Sequence, residues 1–214
     1  MKKVQIPILK DIEDTEKGEM LELSCLKNVQ YSKNEVIFHT GDTVNEIGIV
    51  LKGRVNIENI DIWGNKSILS SVSEGEIFAE TYAICGEPMM VDAVAAEKSE
   101  IQFLNLKALL DEKNSDKGWY VKLISNMLKI SVRKNLALSG RIFCTSSKTI
   151  RGRLLTYLSN ISVKSGSKTF QIPFDRQQLA DYLNLDRSAL SKELGKMRDD
   201  GLIEFHKNVF KLIL

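Results

Sequence analysis

The chain is expected to be α+β, with an N-terminal antiparallel β jelly roll, a long dimerisation helix and a C-terminal winged helix-turn-helix. Three observations predict this. Between Val36 and Phe103, short apolar runs are divided by glycine turns, and Gly41, Gly53, Gly64 and Gly75 recur every 11 or 12 residues. After Ser115 comes a run of roughly thirty residues whose apolar positions step by three and four. Near the C-terminus, FDRQQLADYLNLDRSALSKELGKM sets a small residue, a turn residue and an apolar residue at helix-turn-helix spacing. The expected divisions are residues 1–115, 116–145 and 146–214.

In chain order, the first ~25 residues read as helical, with Met20, Leu21, Leu23 and Leu26 on one stripe. The strands follow as VIFHTGD, IGIVLKGRVNIENI, DIWGNKSILSSV, SEGEIFAE, VDAVAAE and EIQFL. LKALLDEK makes a short helix, and Ser115-Asp116 offers a cap for the long one, which runs to about Ile142. Its seam is Val121, Ile124, Leu128, Ser131, Asn135, Leu138 and Ile142. A helix this long exceeds what a small sandwich can cover, so Val121, Ile124, Leu128, Leu138 and Ile142 are expected to pack on the same helix of a second copy. Ser131 and Asn135 would fix register or face a ligand. A small, basic hinge (CTSSKTIRGR), a helix (RGRLLTYLSNIS) and a strand (TFQIPF) complete the approach to the helix-turn-helix.

Composition narrows the function classes. The chain is 43% hydrophobic and 27% charged, with mean hydropathy −0.14, as in ordinary globular proteins. No apolar run reaches the ~20 residues of a membrane span, and acidic residues follow the N-terminal lysines too soon for a secretory signal. Cys25, Cys85 and Cys144 are scattered and odd in number, against a disulfide framework. The expected location is cytoplasmic. His39 and His206 are too few for most metal chemistry, so neither a metal nor a catalytic residue is expected. From Ser146 onward, 12 Lys and Arg face 7 Asp and Glu. A basic C-terminal third on an acidic body suits a polyanionic partner, or simply a solvated basic face, and the helix-turn-helix spacing points to double-stranded DNA.

The helix-turn-helix is the most informative segment. Asp175 and Gln178 form a capping box, and Asp186 caps the second helix. Ala180 is small where helices cross, Asn184 suits a left-handed turn, and Leu190, Leu194 and Met197 form the buried face. Arg187, Ser188, Ser191 and Lys192 span about 140° of the outer face, at the end that enters a major groove. Arg176 and Gln177 on the first helix join them as DNA-binding candidates. Glu193 stands where an apolar residue is common, leaving the packing role to Leu194. GLIEFHK and VFKLIL form a hairpin, the wing, whose Lys207 is available to phosphate.

Together the glycine-punctuated β region, GEIFAE, the long helix and FDRQQLADYLNLDRSALSKELGKMRDDGLI resemble the cyclic-AMP receptor protein/FNR (Crp/Fnr) family of bacterial transcription regulators, from about Leu21 to Leu214. The resemblance implies a homodimer whose β domain senses an effector, whose winged helices bind a palindrome, and which works with RNA polymerase. It aligns Arg187 and Lys192 with basic reading positions and Ser191 with the serine of the FNR-like branch, while Ser188 replaces a glutamate. It also outlines an effector pocket of Phe78, Ala79, Glu80, Thr81, Met89, Met90 and Val91, with Ser131 and Asn135 from the helix.

The sensing site departs from the cyclic-AMP pattern. Glu80 matches the ribose-binding glutamate, yet Met90 and Val91 stand where the Arg-Ser or Arg-Thr pair would hold phosphate, and no Lys or Arg lies between Glu76 and Lys98. An anion buried there would lack a counter-charge. Cyclic AMP is therefore not the expected effector. An iron–sulfur cluster lacks its fourth thiolate, and haem lacks a suitably placed histidine. No cofactor is expected, and what is left is an unidentified small-molecule effector, apolar if Pro88, Met89 and Met90 line its site, or no ligand at all. A thiol-responsive regulator acting through Cys85 or Cys144 is the alternative within the family. Outside it stands a cupin-like metalloenzyme, for which the barrel holds too few histidines. A regulatory subunit using the sandwich alone would leave the winged helix unexplained.

Overall fold

Two antiparallel sheets form the N-terminal body because glycine and polar turns keep each strand short. The computed structural model describes residues 5–24, 27–60 and 66–213, so Cys25, Leu26 and Gly64 lie outside the described residues. A short 3-10 turn at Pro7–Leu9 precedes α1 (Asp14–Leu23). The expected single N-terminal helix is thus broken. Pro7 enters the 3-10 turn, Asp11 takes a left-handed backbone, and Glu13 with Glu16 recaps the chain as α1. The buried apolar side chains are Ile8, Ile12 and Met20, while Leu23 of the expected stripe is exposed.

The strands are β1 (Lys27–Tyr31), β2 (Val36–Phe38), β3 (Glu46–Lys52), β4 (Val55–Ile60), β5 (Lys66–Val72) and β6 (Ile77–Phe78), then α2 (Glu80–Cys85), β7 (Asp92–Ala95) and β8 (Ser99–Asn105). Among the described residues they order as β1-β8-β3-β6 and β2-β7-β4-β5, a jelly-roll sandwich. Its aromatic centre is Phe38, packed 5.9 Å from Phe78 and 5.7 Å from Phe103 between ring centroids. Two glycines are required by this packing. A Cβ on Gly48 would overlap the Phe78 ring, and one on Gly53 (φ +86°) would lie 2.7 Å from the Lys98 carbonyl.

After β8, Asn105 caps α3 (Leu106–Leu109), a 3-10 turn follows, and α4 runs from Gly118 to Thr145. Its length of 28 residues matches the long helix read from the sequence, with the start two residues beyond Asp116. Asn126 donates to the carbonyls of Ile8 and Lys10 at 3.1 and 2.7 Å, and Lys122 pairs with Glu16 at 2.8 Å, fastening the N-terminal segment. The chain divides into two compact units, Met1–Ser131 and Val132–Leu214, each containing part of α4.

The second unit holds α5 (Ile150–Ser165), β9 (Thr169–Gln171), α6 (Arg176–Tyr182), α7 (Arg187–Asp199), β10 (Ile203–His206) and β11 (Val209–Leu212). Its core gathers Leu154, Leu158, Leu179, Leu183, Leu190, Leu194, Met197, Ile203 and Phe210. The sheet order β10-β11-β9 ties the strand before α6 to the terminal hairpin, so the hairpin is anchored beside the helix pair.

Candidate nucleic-acid interface

The helix pair is built by local chemistry. Asp175 Oδ1 accepts from the Gln178 amide at 2.8 Å, and Gln178 returns a bond to the Asp175 amide at 2.9 Å. Ala180 is fully buried, and Asn184 takes the left-handed backbone (φ +52°) that the turn demands. Asp186 caps α7 by accepting from the Ala189 amide at 2.8 Å and from the Ser188 hydroxyl. These bonds hold its carboxyl below the usual carboxylate range. Leu190, Leu194 and Met197 are buried, while Arg187, Ser188, Ser191 and Lys192 are all exposed. The four reading candidates therefore stand together on the free face of α7. Ser188, however, already spends its proton on the cap.

Glu193 is not a lost packing position. Its carboxylate takes Arg151 Nε of α5 at 2.6 Å, and Arg151 Nη1 reaches Asp200 at 2.7 Å. This fork ties the middle and the C-terminal end of α7 to α5, and the carboxylates raise the Arg151 guanidinium from its ordinary value.

Two arginines that sequence reading missed hold the turn between the helices. Arg141, near the end of α4, donates Nε to the Tyr182 carbonyl at 3.0 Å and Nη2 to the Asp181 carbonyl at 3.1 Å and Asn184 Oδ1 at 3.2 Å. Arg153 Nη1 donates to the carbonyls of Leu183 and Asn184, both at 3.0 Å. The last carbonyls of α6 have no partners within the helix, and the two guanidinia supply them. Arg141 and Arg153 lie 30–43 positions from the turn in sequence, and nothing in the sequence pairs them with it.

The wing is equally specific. His206 pairs with Val209 across a two-residue loop, in which Lys207 adopts φ +51°. A residue with a side chain in that conformation costs roughly 1–2 kcal/mol. Arg176 Nη2 donates to the Lys207 carbonyl at 2.8 Å, with its guanidinium 5.1 Å from the Phe205 ring and 5.2 Å from the Phe210 ring. Burial lowers this guanidinium from its ordinary value. Gln177 is exposed but donates to Asp181 along α6 at 2.8 Å. A concavity of about 530 Å³ opens here, lined by Phe174, Asp175, Arg176, Gln178, Lys207 and Asn208 among others.

The expected effector residues are spread between core and surface. Phe78, Ala79 and Met89 are part of the sandwich core, Glu80 is buried at the start of α2, and Val91 packs half-buried against the core. Thr81 is exposed, and Met90 is 75% exposed. Ser131 and Asn135 are exposed on α4, where Asn135 Oδ1 accepts from the Ser139 hydroxyl at 3.1 Å. A concavity of about 300 Å³ opens beside α2, lined by Asn45, Ala83, Ile84, Cys85, Leu106 and Lys107 among others. Cys144 is buried and accepts from Asn160 at 3.7 Å, and desolvation pushes its thiol up. Among the described residues no cluster of His, Cys, Asp and Glu is arranged to hold a metal, and no helix is long and apolar enough to cross a membrane.

A glycine-turned jelly roll, a long helix and a capped helix pair with a wing define a transcription regulator with a DNA-binding helix-turn-helix. Residues 28–116 match the cyclic nucleotide-binding domain, and residues 152–213 match the Crp-like helix-turn-helix domain. The chain belongs to the Crp/Fnr family. It is 24% identical to Electron transport regulator A of Shewanella oneidensis over 80% of this chain and 69% of that protein. Identity to the transcriptional activator protein FnrA of Stutzerimonas stutzeri is 22%, over 80% and 70%. Among solved structures, CprK complexed with OCPA shares the fold at TM-score 0.69 and 12% identity, over 92% of this chain and 90% of that one.

Proposed function

We propose that this regulator works as a homodimer that reads a pseudo-palindromic operator, and that a small molecule other than cyclic AMP sets its activity through the β domain. The observation carrying the DNA reading is the outer face of α7, where Arg187, Ser191 and Lys192 stand exposed at its N-terminal end. Lys192 has the reach and donors for guanine O6 and N7, and Arg187 for guanine or phosphate. The dimer is supported by α4, whose Val121, Ile124, Leu128, Leu138 and Ile142 are 41–69% exposed in a single copy. An exposed apolar stripe of this kind, interrupted at Ser131 and Asn135, asks for a partner. Against cyclic AMP stands the stretch from Ala79 to Glu97, which contains no basic residue to meet a cyclic phosphate.

The protein acts by binding rather than by catalysis, with RNA polymerase as a partner through family membership. A thiol-responsive form of the same reading would run through Cys85, which is exposed, because Cys144 is buried and its thiol is held protonated.

Selection from a randomised duplex library tests the reading. The chain is expected to enrich a two-fold symmetric motif. Lys192→Ala should weaken the preferred site by ~1–3 kcal/mol and relax one base pair in each half. An enriched motif without symmetry contradicts the dimer, and unchanged base preference in the variant makes Lys192 a phosphate clamp.

A further inference from the structure

The wing sets a strained residue beside a restrained one. Lys207 keeps a left-handed backbone at a position where glycine, or asparagine as at Asn184, would be less strained. Strain retained at an exposed turn points to a side chain that the position needs, and here that side chain is an exposed ammonium. The loop is held from two sides. Asn208 exchanges bonds with Ile172, its Nδ2 donating to the Ile172 carbonyl at 3.2 Å and its carbonyl accepting the Ile172 amide at 2.9 Å. Arg176 holds the other residue of the loop, with one N–H on the Lys207 carbonyl and its plane against Phe205 and Phe210. Arg198 lies over the same Phe205 ring at 5.8 Å, so two guanidinia grip the wing's aromatic.

We propose that Arg176 is a positioning residue of the DNA-binding surface and not a DNA contact: it holds the wing turn so that Lys207 meets the phosphate backbone. This rests on the DNA-binding reading above and adds to it a division of labour between two cations. The two roles ask for different chemistry. A phosphate contact needs positive charge, which lysine supplies as well. A strut between a carbonyl and two rings needs the planar fork, which lysine lacks.

The test uses the full chain and a labelled mixed-sequence duplex, with affinity read by anisotropy across a salt series. Lys207→Ala should lower the slope of log affinity against log salt by about one unit. Arg176→Lys, with charge conserved, should lower it by the same amount, and Arg176→Lys combined with Lys207→Ala should fall no further than Lys207→Ala alone. Phe205→Leu keeps both cations, provides a second route if the arginine variants unfold, and should reproduce the loss. Wild-type slope in Arg176→Lys or Phe205→Leu overturns the proposal, as does a double variant that falls by about two units. If the unmutated chain fails to bind the duplex at any salt, the DNA-binding reading falls and takes this one with it. Failures confined to the variants overturn only the role of Arg176.

Discussion

Tyr157 shows at the level of one residue how the second unit trades stability. Its side chain is 4% exposed, it packs against the Phe174 and Tyr182 rings, and its hydroxyl has no hydrogen-bond partner among the described residues. Desolvation pushes the phenol far above its ordinary value, so it stays protonated at every working pH. A buried hydroxyl without a partner is a net penalty. Tyr157→Phe is therefore expected to raise stability by about 1 kcal/mol in urea unfolding; a loss of similar size would mean that the hydroxyl is satisfied. Residues that act locally were legible in the sequence. Asp175, Asn184 and Asp186 do what their types and spacing dictate, because caps and left-handed turns involve neighbours only. Glu193 was legible as an oddity, while its partner Arg151, 42 residues earlier, was not.

At the scale of elements, the strands, the long helix and the wing follow from periodicity and turn residues. The N-terminal helix does not, because stripe-counting passed over the break at Pro7 and Asp11. Besides the five expected seam positions of α4, Val132, Leu136 and Phe143 are exposed on the same helix. A straight helix drifts about 20° per heptad from a strict seven-residue repeat, so the apolar stripe slides across the heptad frame toward these residues. Leu128 lies mid-seam and is 62% exposed. Leu128→Glu should set like charges against each other across the two-fold axis and leave the protein monomeric at micromolar concentration in sedimentation. A variant that still sediments as a dimer would move the interface off this face. The effector set was the least legible part, because Phe78 and Met89 are apolar whether they line a pocket or fill the core, and both are buried in the sandwich core.

The whole molecule carries an acidic β body and a basic helix-turn-helix unit, in which two guanidinia, Arg141 and Arg153, fix the turn before α7. That clamp joins residues 30–43 positions apart and depends on long, flexible side chains. Sequence alone gives no reason to choose those arginines over their basic neighbours. The charge asymmetry, by contrast, was visible from counting and agrees with the exposed cations on α7 and the wing. Two such units are proposed to read one duplex together, and a hydroxyl-radical footprint on the selected operator tests this most directly. Two protected blocks related by a dyad are expected, their centres one helical turn apart at about 34–36 Å. A single block without a symmetry mate, or blocks out of phase with the helical repeat, would contradict it.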